Sequence, residues 1–170
     1  HNTGLTEILN AAGVPKGSFY FYFKSKDEFG LAVLDYYWDF IQGMAEAHCS
    51  GGGTPPLERL ERFIDAYNDL FESMGFCRGC PIGNLMQEMS DLNEDFRSKV
   101  STIYSRMKDF IAHLLEEAGE RGDLPPSIDT SGTAQFILNS WEGAIMHMKL
   151  TKDGEPLRLF KQMVFERILK

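Results

Sequence analysis

Apolar residues recurring in steps of three and four dominate this sequence, and that spacing restricts the fold class more than any other feature. One stripe runs Leu57, Leu60, Phe63, Ile64, Tyr67, Leu70, Phe71 and Met74. A second runs Phe96, Val100, Ile103, Tyr104, Met107, Phe110, Ile111, Leu114 and Leu115. Two shorter stripes follow: Ile137, Leu138, Trp141, Ile145 and Met148, then Leu157, Phe160, Met163, Val164 and Ile168. Such steps put side chains on one face of a helix with 3.6 residues per turn. No stretch alternates convincingly with the period of two that a half-buried strand shows. The chain is expected to be all-α.

Gly and Pro punctuation is concentrated at residues 50–56, 79–83, 119–126 and 152–156, and no repeat is visible along the chain. A length of 170 residues fits one domain or two small ones. The 43% of apolar residues can build a core, and the 25% of charged residues argue against a disordered chain. No apolar run approaches the ~18 to 20 residues that span a bilayer, so no membrane partner is expected. With no visible signal peptide and only three cysteines, a reducing, cytoplasmic setting is expected.

The last two stripes flank a short loop carrying Gly154 and Pro156. Helices so joined usually pack antiparallel, and two such pairs from two chains can close a four-helix bundle. A homodimer is therefore expected, against the plainer possibility that both helices are only the core of one monomer.

The first thirty residues differ in style. Residues 5–14 read LTEILNAAGV, a short helix ending at Gly13 with Thr3 as candidate cap. Pro15 opens a second short element, PKGSFYFYF. Ser25 can cap a third helix, and Glu28 three residues on would complete a capping box. A short helix, a tight turn and another short helix form a helix-turn-helix, whose second helix offers its first residues to the DNA major groove. Lys16 at that start can reach a guanine edge or a phosphate. Gly17 lets backbone approach closely. Ser18 and Thr6 offer hydroxyls, Tyr20 and Tyr22 phenols, and Lys26 a cation in the first turn of the next helix, where backbone N–H groups also favour phosphate. Phe21 can touch a thymine methyl. Phe19 and Phe23 are expected inside, and Tyr20, Phe21 and Tyr22 outside. The net charge of −8 lies beyond this segment, since residues 1–30 balance three Lys against three acids. An acidic body would orient the molecule on DNA, and affinity should fall steeply with salt.

The run Leu5 to Asp27 resembles the DNA-binding motif of the tetracycline-repressor (TetR) family, dense and ungapped over about 25 residues. The resemblance implies a helix-turn-helix domain over residues 1–30, with its first helix ahead of residue 1, and a ligand-binding and dimerisation domain over 31–170. It implies palindromic operator DNA read by a homodimer and a small-molecule inducer, with no cofactor. It also puts Tyr20 and Lys26 at phosphate-clamping positions, and Phe21 where the family often has His.

The segment Cys77-Arg78-Gly79-Cys80-Pro81 carries a CxxC. Zinc would need two more ligands, but His48, His113 and His147 are isolated and Cys49 follows another helix, so no metal is expected. A thioredoxin-like centre needs a βαβ setting that is missing. Pro81 suits the first position of a helix over 81–90, which makes Cys80 its cap. The helix dipole and the nearby Arg78 would then lower the thiol pKa, with Cys77 as a resolving partner. The plainer reading is an inert, partly buried cysteine. Further pieces, among them Gly79-Cys80, residues 90–95 (SDLNED), Trp141-Glu142-Gly143-Ala144 and Glu155-Pro156-Leu157, are similar to the subgroup of the N-ethylmaleimide reductase repressor. That likeness implies electrophile sensing at Cys80 with help from Lys149, although other members of the subgroup bind small unsaturated acids. A noncovalent ligand would sit between the helices of the larger domain, where Tyr67, Phe71, Asn84, Met107, Trp141 and Met148 are candidate lining residues. The eight methionines would suit an adaptable pocket. Two other functions fit the residues: a thiol-dependent enzyme that detoxifies electrophiles, or a helical interaction module.

Overall fold

The computed structural model describes residues 3–50 and 53–170, and every regular element in them is helical. The helices are α1 Leu5–Ala12, α2 Lys16–Tyr22, α3 Lys26–Cys49, α4 Pro56–Ser73, α5 Pro81–Met89, α6 Glu94–Glu120, α7 Thr130–Thr151 and α8 Glu155–Met163, followed by a π-type turn over Val164–Ile168. None is long and apolar enough to cross a membrane.

Local chemistry sets most helix ends. α1 stops at Gly13, whose φ of 67° is the left-handed conformation glycine adopts without strain. It begins at Gly4 with no side-chain cap, so Thr3 lies one residue outside the capping position expected of it. Ser25 caps α3, its hydroxyl accepting from the Glu28 N–H at 3.0 Å. The Glu28 carboxylate reaches back to the Lys24 N–H at 2.6 Å, one residue earlier than a reciprocal capping box would have it. Asn93 caps α6 by accepting from the N–H groups of Asp95 and Phe96.

The sequence stripes form the core. Phe63, Ile64, Val100, Ile111, Leu115, Ile137, Leu138 and Trp141 are all buried in one cluster shared by α3 to α8. The last stripe departs from expectation at its end. Ile168 is only half-buried, and Leu169 takes the interior place at 3% exposure. The cause is the π-type turn: Leu169 N–H bonds Val164 C=O at 3.0 Å, widening the turn by one residue and rotating Leu169 inward. Met163 is 47% exposed, in a surface cleft that α8 forms with Phe136, Ser140 and Gly143 of α7.

α1 and α2 stand apart from this core. They are held by Leu9 and Phe19, and by rings of Phe19, Phe23 and Phe29 with centroids 5.2 to 5.7 Å apart. α3 connects the two regions without a break at residue 30. Near its start, Gly30 abuts α6: a Cβ there would lie 2.5 Å from Cζ of Phe96. Asn93 donates to Asp27 at 3.2 Å and Lys99 pairs with Asp35 at 2.5 Å, fixing the same corner.

Candidate functional site

Two regions gather the chemistry. The first is the outer face of α2. Tyr20, Phe21 and Tyr22 are 51%, 82% and 72% exposed, while Phe19 is buried and Phe23 half-buried. Large apolar surface facing water on a seven-residue helix is costly unless something covers it. Thr6, Lys16, Gly17 and Ser18 are exposed, and Lys26 is half-buried in the first turn of α3.

The second region begins with the loop into α5. Phe76, Arg78, Gly75 and Gly79 all have positive φ, two of them non-glycine, so the chain is tightly wound as it delivers Cys77 and Cys80. Asn84 holds this loop, donating to the Arg78 carbonyl at 2.7 Å while its Oδ1 accepts from Lys149 at 3.2 Å. Cys80 caps α5 as expected, with the Gly83 N–H 3.5 Å from its sulfur. Cys77 is half-buried, its thiol facing the Gly75 carbonyl at 3.3 Å and the Lys152 ammonium at 3.5 Å. The lysine beside Cys77 is therefore Lys152. Lys149 lies with Cys80, Asn84 and Gly79 along a shallow cleft.

The expected activation of Cys80 is reversed. Burial pushes its thiol well above the ordinary thiol value, and the neighbouring Glu142 carboxylate pushes further. The N–H groups of Gly83 and Ile82 act the other way, as a helix N-terminus should, but are outweighed. Arg78 is exposed and is not among the groups that shift the sulfur. Glu142 is the residue that sequence reasoning missed as a site residue. It is 8% exposed, and burial raises its carboxyl above the usual range while its contact with Cys80 lowers it. Its seat exists because position 83 has no side chain: a Cβ on Gly83 would collide with the Glu142 carboxylate. The available signal was one acid set among Leu138, Trp141 and Ile145 on an otherwise apolar face.

Beside this pair lies a cavity of about 280 Å³ between α3, α4, α6, α7 and the start of α5. Of the expected lining residues, Tyr67, Phe71, Met107 and Trp141 are there, together with Cys80. Asn84 is not; it serves the loop and the Lys149 cleft. Met148 is not either, being fully buried core. The wall that sequence reading did not supply is α3, through Tyr36, Tyr37, Phe40 and Ile41. A second cavity of about 380 Å³ shares Ile41, Phe63, Met107 and Trp141 with the first, and its lining includes Arg106, which lies 5.7 Å over the Trp38 ring. Among the described residues no three metal-binding side chains gather.

Residues 1–33 match the family model described as bacterial regulatory proteins, tetR family, and residues 56–164 match the one described as tetracyclin repressor-like, C-terminal domain. The first of these matches begins at residue 1 and does not confirm the helix ahead of residue 1 that the resemblance implied. The chain is similar to the transcriptional regulator AcuR of Cereibacter sphaeroides, at 38% identity over 159 residues, spanning 94% of this chain and 73% of that protein. It is similar to the HTH-type transcriptional repressor NemR of Escherichia coli K12, at 34% over 155 residues, spanning 91% and 77%. Among solved structures, the regulatory protein TetR from Rhodobacter sphaeroides superposes with a TM-score of 0.91 at 38% identity, covering 97% of this chain and 87% of that one.

Proposed function

Because the chain belongs to the TetR family of bacterial transcriptional regulators, we propose that it is a repressor that binds palindromic operator DNA as a homodimer and is released by a small molecule. The relatives are named as regulators, which sets aside a detoxifying enzyme. The observation that carries the reading is the double use of α3. Its Ser25-capped start adjoins the α2 reading face, and Tyr36, Tyr37, Phe40 and Ile41 on the same helix wall the cavity. A ligand that fits the cavity better in one tilt of α3 biases the position of the reading face, which is all that allosteric release requires.

Lys16, Gly17, Ser18, Tyr20, Phe21 and Tyr22 would face the groove, with Thr6 and Lys26 on the flanking phosphates. Dimerisation is supported by the apolar surface shared by α7 and α8, where Phe136, Leu159 and Met163 are each about half exposed. Two reading helices about 34 to 36 Å apart would match one helical turn of DNA. Fluorescence anisotropy with the DNA upstream of the protein's own gene tests this. Salt-sensitive binding by a dimer is expected, and a dimer indifferent to that DNA at low salt would leave only an interaction module.

A second reading adds a thiol-reactive electrophile as inducer, favoured by Cys80 lying on the cavity wall. Its protonated resting state makes it a slow, selective target rather than a generally reactive thiol. Cys80→Ser should abolish release by N-ethylmaleimide and leave repression intact. Equal release of mutant and parent would remove Cys80 from sensing and turn attention to Cys77.

A further inference from the structure

Among the described residues, Glu142 is the only polar or charged side chain in the buried class. Taking a carboxylate out of water is costly, and a glutamine would fill the same space without that cost. The group that favours its charged form is the Cys80 thiol, which donates to it. The two are brought together by one glycine. A Cβ on Gly83 would collide with the Glu142 carboxylate, and the Gly83 N–H lies 3.5 Å from the Cys80 sulfur at the start of α5. Cys80 is half-buried and lines both the 280 Å³ cavity and the cleft of Lys149.

We propose that Glu142 is the general base for Cys80, accepting the thiol proton as the sulfur attacks an activated alkene. The inference rests on the reading that Cys80 is where an electrophile reacts. The new C–S bond forms at the alkene carbon remote from the carbonyl, and the S–H proton passes to the Glu142 carboxylate. The alkene electron pair moves onto the carbon next to the carbonyl, which takes the proton back from the Glu142 carboxyl. Thiol and alkene end as one saturated thioether, with no oxidant consumed and no group expelled. The N–H groups of Gly83 and Ile82 face the negative charge that grows on sulfur. Burial keeps the free thiolate scarce, so proton transfer in step with attack is the route open to this sulfur. Lys149 does not fill the role: its ammonium has no lone pair, it is held by Asn84 at 3.2 Å, and it is not among the groups that shift the thiol.

The test follows the rate at which N-ethylmaleimide modifies Cys80 in the full chain, read by peptide mass so that Cys49 and Cys77 are counted separately. Cys80 from α5, Tyr67 from α4 and Tyr104 from α6 are the titratable groups coupled to Glu142. Burial pushes all three above their ordinary values, so of these four groups only the carboxyl titrates between about pH 5 and about pH 9. The parent rate should rise as Glu142 ionises and then level off within that range. Glu142→Gln should react about tenfold or more slowly near neutral pH, and its rate should climb without levelling, since only ionised thiol is left to react. A carboxylate that merely repelled charge would give the opposite sign, because removing it eases ionisation of the thiol. Glu142→Gln as fast as the parent, or faster, would therefore overturn the base and leave Cys80 sensing intact. A parent rate that climbs about tenfold per pH unit across the whole range would overturn it too, even if Glu142→Gln fails to fold. No modification of Cys80 at any pH, with Cys77 modified, would sink the sensing reading itself.

Discussion

The reading face and the cavity put their aromatic residues to opposite uses. On α2, Phe21 and Tyr22 stand in water with little beneath them, whereas Phe63, Tyr67 and Trp141 meet edge to face, with Phe71 tilted against Tyr67, on the wall of a cavity between helices. The outer face carries its chemistry where sequence order alone displays it. The inner site is assembled from five helices and depends on contacts such as Gly83 with Glu142, which are distant in the chain. A local motif can therefore be read residue by residue, and a cavity cannot.

The sharpest way to break that contrast is to make one change in both places. Phe63→Ala should cost about 3–5 kcal/mol of stability, because it opens a hole in a closed core. Phe21→Ala should stay within about 0.5 kcal/mol and act on DNA affinity instead. Urea denaturation decides between them, and comparable losses would show that α2 is packed rather than presented.

Gly83→Ala comes next. A methyl there must displace the Glu142 carboxylate, and overpacking of this kind typically costs about 1–3 kcal/mol. The same substitution at exposed Gly17 should be neutral or slightly stabilising, since its Cβ would meet open space on a helix. Melting curves of the two variants, side by side, separate a seat from a surface.

Lys26→Ala should weaken binding to specific and nonspecific DNA alike, by about tenfold, and reduce the salt slope by about one. A loss confined to one operator sequence would mean that Lys26 reads bases rather than holding phosphate. The smallest effect concerns protons. Burial keeps the Glu142 carboxyl above its ordinary value, so the folded chain binds that proton more tightly than the unfolded chain does. Its contribution to stability is full below the ordinary carboxylate range and is lost as pH rises through the raised value. Glu142→Gln should therefore gain on the parent between pH 5 and pH 8. A constant difference across that range would mean that the carboxylate is already charged at pH 5.

The helical stripes were legible because burial on one face forces a period, and α4, α6 and α7 fall where that period places them. The end of the last stripe was not, since one π-type turn exchanges Ile168 for Leu169 and leaves no mark in the spacing. Cys80 as a helix cap followed from Pro81. The direction of its pKa did not, because it is set by burial and by Glu142, some sixty positions away. Four of the six expected cavity residues line the cavity, as large side chains on inward faces tend to do. The α3 wall was missed because that helix is apolar on several sides and shows no single stripe.

The close seat of Gly30 against Phe96 gives α3 a natural fulcrum. At 1.5 Å per residue, Gly30 stands roughly 6 Å from the start of the helix and roughly 15 Å from Phe40. With the long arm on the cavity side, a 1 Å push at Phe40 becomes a tilt of about 4° and only about 0.4 Å of travel at Lys26. A lever of those proportions trades distance for angle, so a bound guest would reach the operator as a turn of the head rather than a slide.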